Sequence, residues 1–377
     1  MDLIKRTWAE IDTAALLHNL NIIKKTAANK KIMAVIKADA YCHSVKITGK
    51  ALWENGVDSF AVSNVEEAIE LREIGVKGLI LILGYTPTDC APILSKYDIS
   101  QAVFSYEYAR ELSEAAQKSN VKINVHLKLD TGMGRIGFNC RELPLPEIED
   151  AVKSSSLPNL FAEGVFTHFA VSDGLDKESI DFTKQQQALF LEAIKELSKN
   201  GINPKMRHTN NSAALFTADN DGSNYCRPGI VLYGLNATNG ETTEKGLIPV
   251  MTLKSVVSMV KVIKKGETVS YGRAFTADRD MRVATVTAGY GDGYPRALSN
   301  KGEVIVNGQR AKIIGRVCMD QFLIDISHIN DVRRGDEVIL FGKDLTASEV
   351  ACLCGTINYE IVCGISKRVP RVAVENK

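Results

Sequence analysis

Eight short β-rich apolar runs between Ile32 and Gly234, most of them separated by helical patterns, constrain this chain more than any other feature. They are Met33 to Ile36, Phe60 to Ser63, Leu79 to Leu83, Ala102 to Phe104, Lys122 to Leu129, Phe161 to Thr167, Met206 to Thr209 and Gly229 to Tyr233. Strands that alternate with helical crossovers pair in parallel, and eight of them predict an α/β fold closed into a (β/α)8 TIM barrel rather than an open sheet. The helices carry their own punctuation. Asn64-Val65-Glu66-Glu67 reads as a capped start for Val65 to Ile74, which Gly75 stops.

After about Asn236 helical periodicity gives way to Val/Ile/Thr-rich alternation. The runs Met251 to Ile263, Arg282 to Thr287, Glu303 to Val306, Ala311 to Val317, Phe322 to Ile326 and Glu337 to Phe341 predict a mostly antiparallel β domain, with Asn307-Gly308 as a hairpin turn. At 377 residues the chain is too long for one ordinary core. The expected division is a barrel over 1–240, whose first few residues pack with the second domain, and a β-rich domain over 241–377.

Forty-six basic against forty-five acidic residues give a net charge of +1, with no basic block to track a phosphate backbone or an anionic lipid surface. Nucleic acid and membrane are therefore not expected partners. The Met1–Trp8 segment lacks the apolar core of a signal peptide, and eight cysteines without a C-x-x-C pair fit a reducing cytoplasm. Cys352, Cys354 and Cys363 have no histidine at ligand spacing, so no metal is expected.

In such a barrel the residues just past each strand form the active site. Lys37 follows four apolar residues at the end of the first strand. Alone it reads as a lysine that snorkels to solvent. Strand five ends in Lys128-Leu129-Asp130-Thr131-Gly132-Met133-Gly134-Arg135-Ile136-Gly137, which contains the letters of a dinucleotide fingerprint. Pro144 and Pro146 interrupt the helix that fingerprint needs, so the stretch reads instead as a tight loop presenting Arg135, with Lys128 behind it. His168 ends strand six, Asn211-Ser212 follow strand seven, and Arg227-Pro228-Gly229-Ile230 open strand eight. The last two strands are where such barrels hold phosphate. A lysine facing a phosphate site without a Walker motif suggests a phosphorylated aldehyde, pyridoxal 5′-phosphate, more than a nucleotide.

The motifs Thr7-Trp8-Ala9-Glu10-Ile11-Asp12, Val35-Ile36-Lys37-Ala38-Asp39-Ala40-Tyr41, Leu129 to Arg135, and Arg227 to Gly234 occur in one order with Ser270-Tyr271-Gly272, Gly289 to Tyr294, Gly315 to Asp320 and Ile357-Asn358-Tyr359-Glu360. From Thr7 to Arg371 the chain resembles the alanine racemase family of barrel-type pyridoxal-phosphate enzymes. The resemblance implies an isomerase interconverting L- and D-alanine and supplying D-alanine for peptidoglycan. It implies that Lys37 forms the Schiff base and serves as one base, with Tyr271 of a second subunit of a homodimer as the other, since racemisation needs a base on each face. Tyr41, Ser212, Gly229, Ile230 and Tyr359 would hold the phosphate, with Asn211 also binding the cofactor. Arg227 would face the pyridine nitrogen with His168 behind it, Arg135 would contact the cofactor phenolate and the substrate carboxylate, and the Met319 backbone N–H would meet that carboxylate from across the dimer. Lys128 matches a lysine carbamylated in many relatives, and Cys318, Asp320 and Tyr290 are expected in support.

One stretch departs from the pattern. The family usually reads Tyr-Gly-His-Gly where this chain has Tyr41-Cys42-His43-Ser44. If those glycines serve positive φ, Cys42 and Ser44 strain the loop. The rival readings are a serine or alanine/serine racemase linked to glycopeptide resistance, and a non-catalytic pyridoxal-phosphate-binding protein. The second would not need the β domain or Tyr271.

Overall fold

The computed structural model describes residues 4–217, 222–237 and 246–375. Strand β1 (Thr7–Asp12) precedes the barrel strands β2 (Lys31–Val35), β3 (Ser59–Val62), β4 (Leu79–Ile82), β5 (Ser100–Val103) and β6 (Ile123–Asp130). The two-residue β7 (Phe138–Asn139) extends the end of β6, and β8 (Leu160–Phe166), β9 (Met206–His208) and β10 (Tyr225–Cys226) complete the set. All pairings are parallel, and β5 with β6 and β10 with β2 close the ring. Burial explains the strand signal: Met33, Ala34, Val35 and Ile36 are all buried, as in a parallel strand covered on both faces.

The helix over Val65–Glu73 starts where its cap predicts. The Asn64 side chain accepts from the Glu67 N–H, a cap that stabilises by about 1 kcal/mol. Gly75, at φ 95°, lets the chain turn away after it.

The eighth strand is not the expected run Gly229 to Tyr233. It is Tyr225–Cys226, while Ile230–Tyr233 forms a 3-10 turn. Pro228 has no N–H to give a neighbouring strand, although its carbonyl still accepts from Val35 at 2.9 Å, and Gly229 then bends the chain at φ −120°, ψ −94°. The apolar run is that of a fully buried turn, which periodicity cannot tell from a short buried strand.

The second sheet holds β11 (Met251–Ile263), β14 (Met281–Val286), β15 (Glu303–Val306), β16 (Gln309–Ile314), β17 (Phe322–Asp325), β18 (Glu337–Phe341) and β19 (Arg371–Val374), beside a small hairpin of β12 (Thr268–Val269) and β13 (Phe275–Thr276). Its pairings are antiparallel except that of β1 with β19, and β14 pairs back to β11. Asn307 and Gly308, at φ 49° and 73°, make the turn between β15 and β16. Strand β1 belongs to this sheet, antiparallel to β11, so the chain crosses from it into the barrel through the Thr13–Ala27 helix. The expected junction at 240/241 lies outside the described residues. Among the described residues no helix is long and apolar enough to cross a membrane.

Candidate active site

A cavity of about 950 Å³ opens at the C-terminal ends of the barrel strands, with the Asn358–Cys363 helix of the second domain along one side. Lys37 lines it directly after β2. Burial, reinforced by the charge of Arg135 and opposed by Glu67, pulls the Lys37 ammonium below the usual lysine range.

The five residues after Lys37 form a left-handed turn, with φ between 52° and 62° from Ala38 to Cys42. Non-glycine residues pay about 1–2 kcal/mol each for this hand. The turn persists because its surroundings hold it. The Glu67 carboxylate accepts from the Ala38 N–H at 2.6 Å and from the Ser63 N–H at 2.8 Å, tying the ends of β2 and β3 together. Asp39 accepts from the Val45 N–H at 2.8 Å, and Arg371 on β19 donates to the Cys42 carbonyl at 3.0 Å. Cys42 and Ser44, where the family pattern has glycine, sit at φ 62° and 64°, so both carry strain a glycine would not. The Cys42 thiol donates to the Cys363 carbonyl at 3.2 Å.

The same cavity is lined by a cluster of cations. Arg227 is 4% exposed and Lys128 3%. The Arg227 guanidinium donates to the carbonyls of His208, Thr167 and Thr209 at 2.7, 2.8 and 3.1 Å, and His168 Nδ1 lies 3.3 Å from it. Burial and then Arg227 push His168 well below the ordinary histidine value, so it is neutral. Lys128 donates to the Leu129 carbonyl at 3.2 Å and lies over the Phe166 ring. Among the described residues no carboxylate is within ion-pair distance of it, and burial pulls its pKa to about 7. Arg135 reaches the cavity from an exposed loop. That loop is pinned by Asp130, which accepts from the Gly132 and Gly134 N–H groups and from Arg141.

Beside the lysine turn Gly229, Ser212 and Tyr41 converge. The Gly229 N–H donates to Ser212 Oγ at 2.8 Å, and a Cβ on Gly229 would lie 2.6 Å from the Tyr41 hydroxyl, so only glycine leaves the space open. Asn211 and Tyr359 line the same cavity, and Ile230 is buried behind Gly229. Burial raises the Tyr41 pKa far above the usual phenol, keeping it a neutral hydroxyl.

The remaining expected residues form a separate patch on the second domain. Tyr271 is 72% exposed, Met319 52% and Tyr290 44%. The Tyr290 N–H donates to the Cys318 carbonyl at 3.0 Å, Cys318 Sγ is 3.7 Å from Ser270 beside Tyr271, and Arg368 joins Asp320 to the buried Asp292. None of Tyr271, Tyr290, Cys318, Met319 and Asp320 lines the cavity of its own chain.

The motifs did not single out Glu67, Arg371, Thr167 or His208. His208 falls within the run Met206 to Thr209, but nothing in the sequence ties it to Arg227. Glu67 was legible as a helix cap, yet its grip on the lysine turn depends on tertiary contact.

Residues 11–237 match the family model described as alanine racemase, N-terminal domain, and residues 250–373 match that described as alanine racemase, C-terminal domain. Among curated relatives, alanine racemase 1 of Clostridium acetobutylicum is 45% identical over 379 residues, covering 99% of this chain and 96% of that protein. The alanine racemase of Clostridium tetani is also 45% identical, with the same coverage. Among solved structures, the alanine racemase of Clostridium difficile 630 superposes with a TM-score of 0.93 at 38% identity, covering 100% of this chain and 97% of that one. That of Bacillus anthracis with bound L-Ala-P gives 0.91 at 35% identity, with the same coverage.

Proposed function

The chain belongs to the alanine racemase family, isomerases of L- and D-alanine, and from that premise we propose that it works as a homodimer whose Lys37 and partner-supplied Tyr271 face one another across bound pyridoxal 5′-phosphate. The observation that carries this reading is the division of the site: Lys37 lines a cavity, while Tyr271 stands 72% exposed on a patch that does not reach it.

The residues present fit the cofactor. The cavity is large enough for it and an amino acid, and Gly229, Ser212 and Tyr41 leave the open, donor-lined corner that a phosphate needs. When bound, the cofactor supplies a ring that spreads the charge left when the substrate's α-proton departs. Lys37, held below the usual lysine range, has a larger neutral fraction than a free lysine and so can accept a proton near neutral pH. Tyr271 supplies or removes the proton on the other face. Arg227, a permanent cation with neutral His168 behind it, would face the ring nitrogen and disfavour its protonation. Arg135 and the partner's Met319 N–H orient the carboxylate, and Asn211, Ile230 and Tyr359 complete the cofactor's seat.

Lys128 is the site of a carbamate in this reading. A pKa near 7 leaves much of its amine neutral, so the nitrogen can add to carbon dioxide and release a proton, and the resulting anion would sit beside Arg227 and Arg135. Loss of the mass of one carbon dioxide on brief acidification is expected; an unchanged intact mass would remove the carbamate from the scheme.

Complementation tests the shared site. Lys37→Ala and Tyr271→Ala variants, inactive singly, are refolded or dissociated together and assayed for D-alanine from L-alanine. Statistical mixing should restore about a quarter of wild-type activity, because mixed dimers hold one intact site of two. No recovery, with mixed dimers present, would place both bases in one chain.

A further inference from the structure

Barrel interiors of this type are normally filled by branched aliphatic side chains in layers. This one carries a line of polar groups instead, and none of its lower members lines the cavity. His208 and His126 are completely buried. Arg227 Nη1 lies 3.0 Å from His208 Nδ1, His208 Nε2 lies 2.8 Å from His126 Nδ1, and His126 Nε2 lies 3.3 Å from Glu163 Oε1. The Ser100 hydroxyl donates to the same carboxylate. The backbone is built around the line. Gly164 lies where any Cβ would come within 2.1 Å of His126 Nδ1, and the Phe166 ring stacks on His208 at 4.7 Å and 8°.

The direction of every bond is dictated from one end. A guanidinium only donates, so His208 Nδ1 must be bare. A neutral imidazole then carries its proton on Nε2, which donates to His126, whose Nδ1 must also be bare. The His126 proton is left on Nε2, which lies 3.3 Å from the Glu163 carboxylate without closing a hydrogen bond to it, so the last link of the line is one of charge. Both ring dipoles thus point their negative ends at Arg227 and their positive ends at the carboxylate.

We propose that Glu163 and His126 are positioning residues, which act through His208 to fix the Arg227 guanidinium although neither touches the cavity. The buried line couples Arg227 at the catalytic mouth to a carboxylate at the opposite part of the barrel. Burial and the Arg227 charge disfavour a second proton on His208, and the nearby His126 ring together with the Ser100 hydroxyl outweighs burial to hold Glu163 below the usual carboxylate range. This deepens the reading that Arg227 faces the cofactor ring, and it rests on that reading for its consequence in catalysis.

The test is two-bond ¹⁵N–¹H correlation on holoenzyme carrying ¹⁵N-histidine, with each histidine assigned by its own His→Gln variant. His126 and His208 should both appear neutral with the proton on Nε2. His43 serves as internal contrast, because its Nδ1 faces the Tyr41 carbonyl at 2.8 Å and must carry the proton. A proton on Nδ1 of either relay ring, or on both nitrogens, overturns the proposal. In Glu163→Gln the violet-absorbing cofactor band should persist, the His208 resonances should move, and kcat should fall about tenfold with little change in KM. Unmoved His208 resonances with unchanged kcat also overturn it. If that variant does not fold, Ser100→Ala replaces it, with a smaller shift in the same resonances as the expected result and none as the overturning one. The tautomers are read whether or not the cofactor reading holds, whereas absence of the violet band from the wild-type enzyme would sink that reading alone.

Discussion

The two regions that carry the expected chemistry are built in opposite ways. In the barrel, Arg227 and Lys128 are 4% and 3% exposed and locked by backbone carbonyls, and the lysine turn is held from both domains. On the second domain, Tyr271 and Met319 are 72% and 52% exposed. Desolvation tunes the first set, lowering lysine and histidine pKa values, whereas the second set stands open to solvent. A chain can prebuild the binding half of a site and display the other half, so that assembly rather than folding completes it.

The sharpest way to test that contrast is to remove one proposed base from each region. Lys37→Ala should abolish both racemisation and the violet band. Tyr271→Phe should lower kcat by roughly 10²- to 10⁴-fold while leaving the band and the thermal midpoint in place. Loss of the band in Tyr271→Phe would mean the two regions are not separable.

Acid should unfold the buried half first. Burial pulls His43 to about 4, and His168 and His208 are also held well below 6.5. The unfolded chain therefore binds more protons in this range. The stability is fully present above about pH 6.5 and is lost as pH falls toward 4, His43 alone accounting for roughly 3 kcal/mol. Urea midpoints at pH 7.5, 6 and 5 should fall in step; a flat profile would mean these rings are charged in the folded state.

A smaller effect is expected from Glu67→Ala. Losing a charged acceptor for two N–H groups should cost about 2 kcal/mol, and removing its charge should lower the Lys37 pKa further. Differential scanning calorimetry and the pH dependence of cofactor rebinding read the two changes; a drop in stability with an unmoved pH dependence would reduce Glu67 to a helix cap. The smallest change is Ser44→Gly, which should stabilise by about 1 kcal/mol by relieving φ 64° without altering the band. Destabilisation instead would show that the serine side chain contributes more than its backbone costs.

Much of the frame was legible because burial on both faces writes itself as continuous apolar runs, and because Asn64 and Asn307-Gly308 act locally. The run Ile230 to Tyr233 carried the same apolar signal without a strand. The left-handed turn was not legible in any local sense. Ala38-Asp39-Ala40-Tyr41 contains no glycine, and the clamp from Arg371 to Cys42 joins positions 329 apart. The glycine-to-side-chain departure at Cys42 and Ser44 did point to positive φ there. His126 was within reach, since it stands two positions before Lys128 on one strand and shares its inward face, but its partners lie on β8 and β9.

The route of β1 and β19 through the second sheet has a consequence for biosynthesis. Arg371 grips the turn beside Lys37 from a strand translated long after the barrel. A nascent barrel on the ribosome can therefore close its ring of strands while its catalytic turn still lacks a fastener. Catalytic competence is reached late in the life of each new chain, when β19 emerges and docks beside β1.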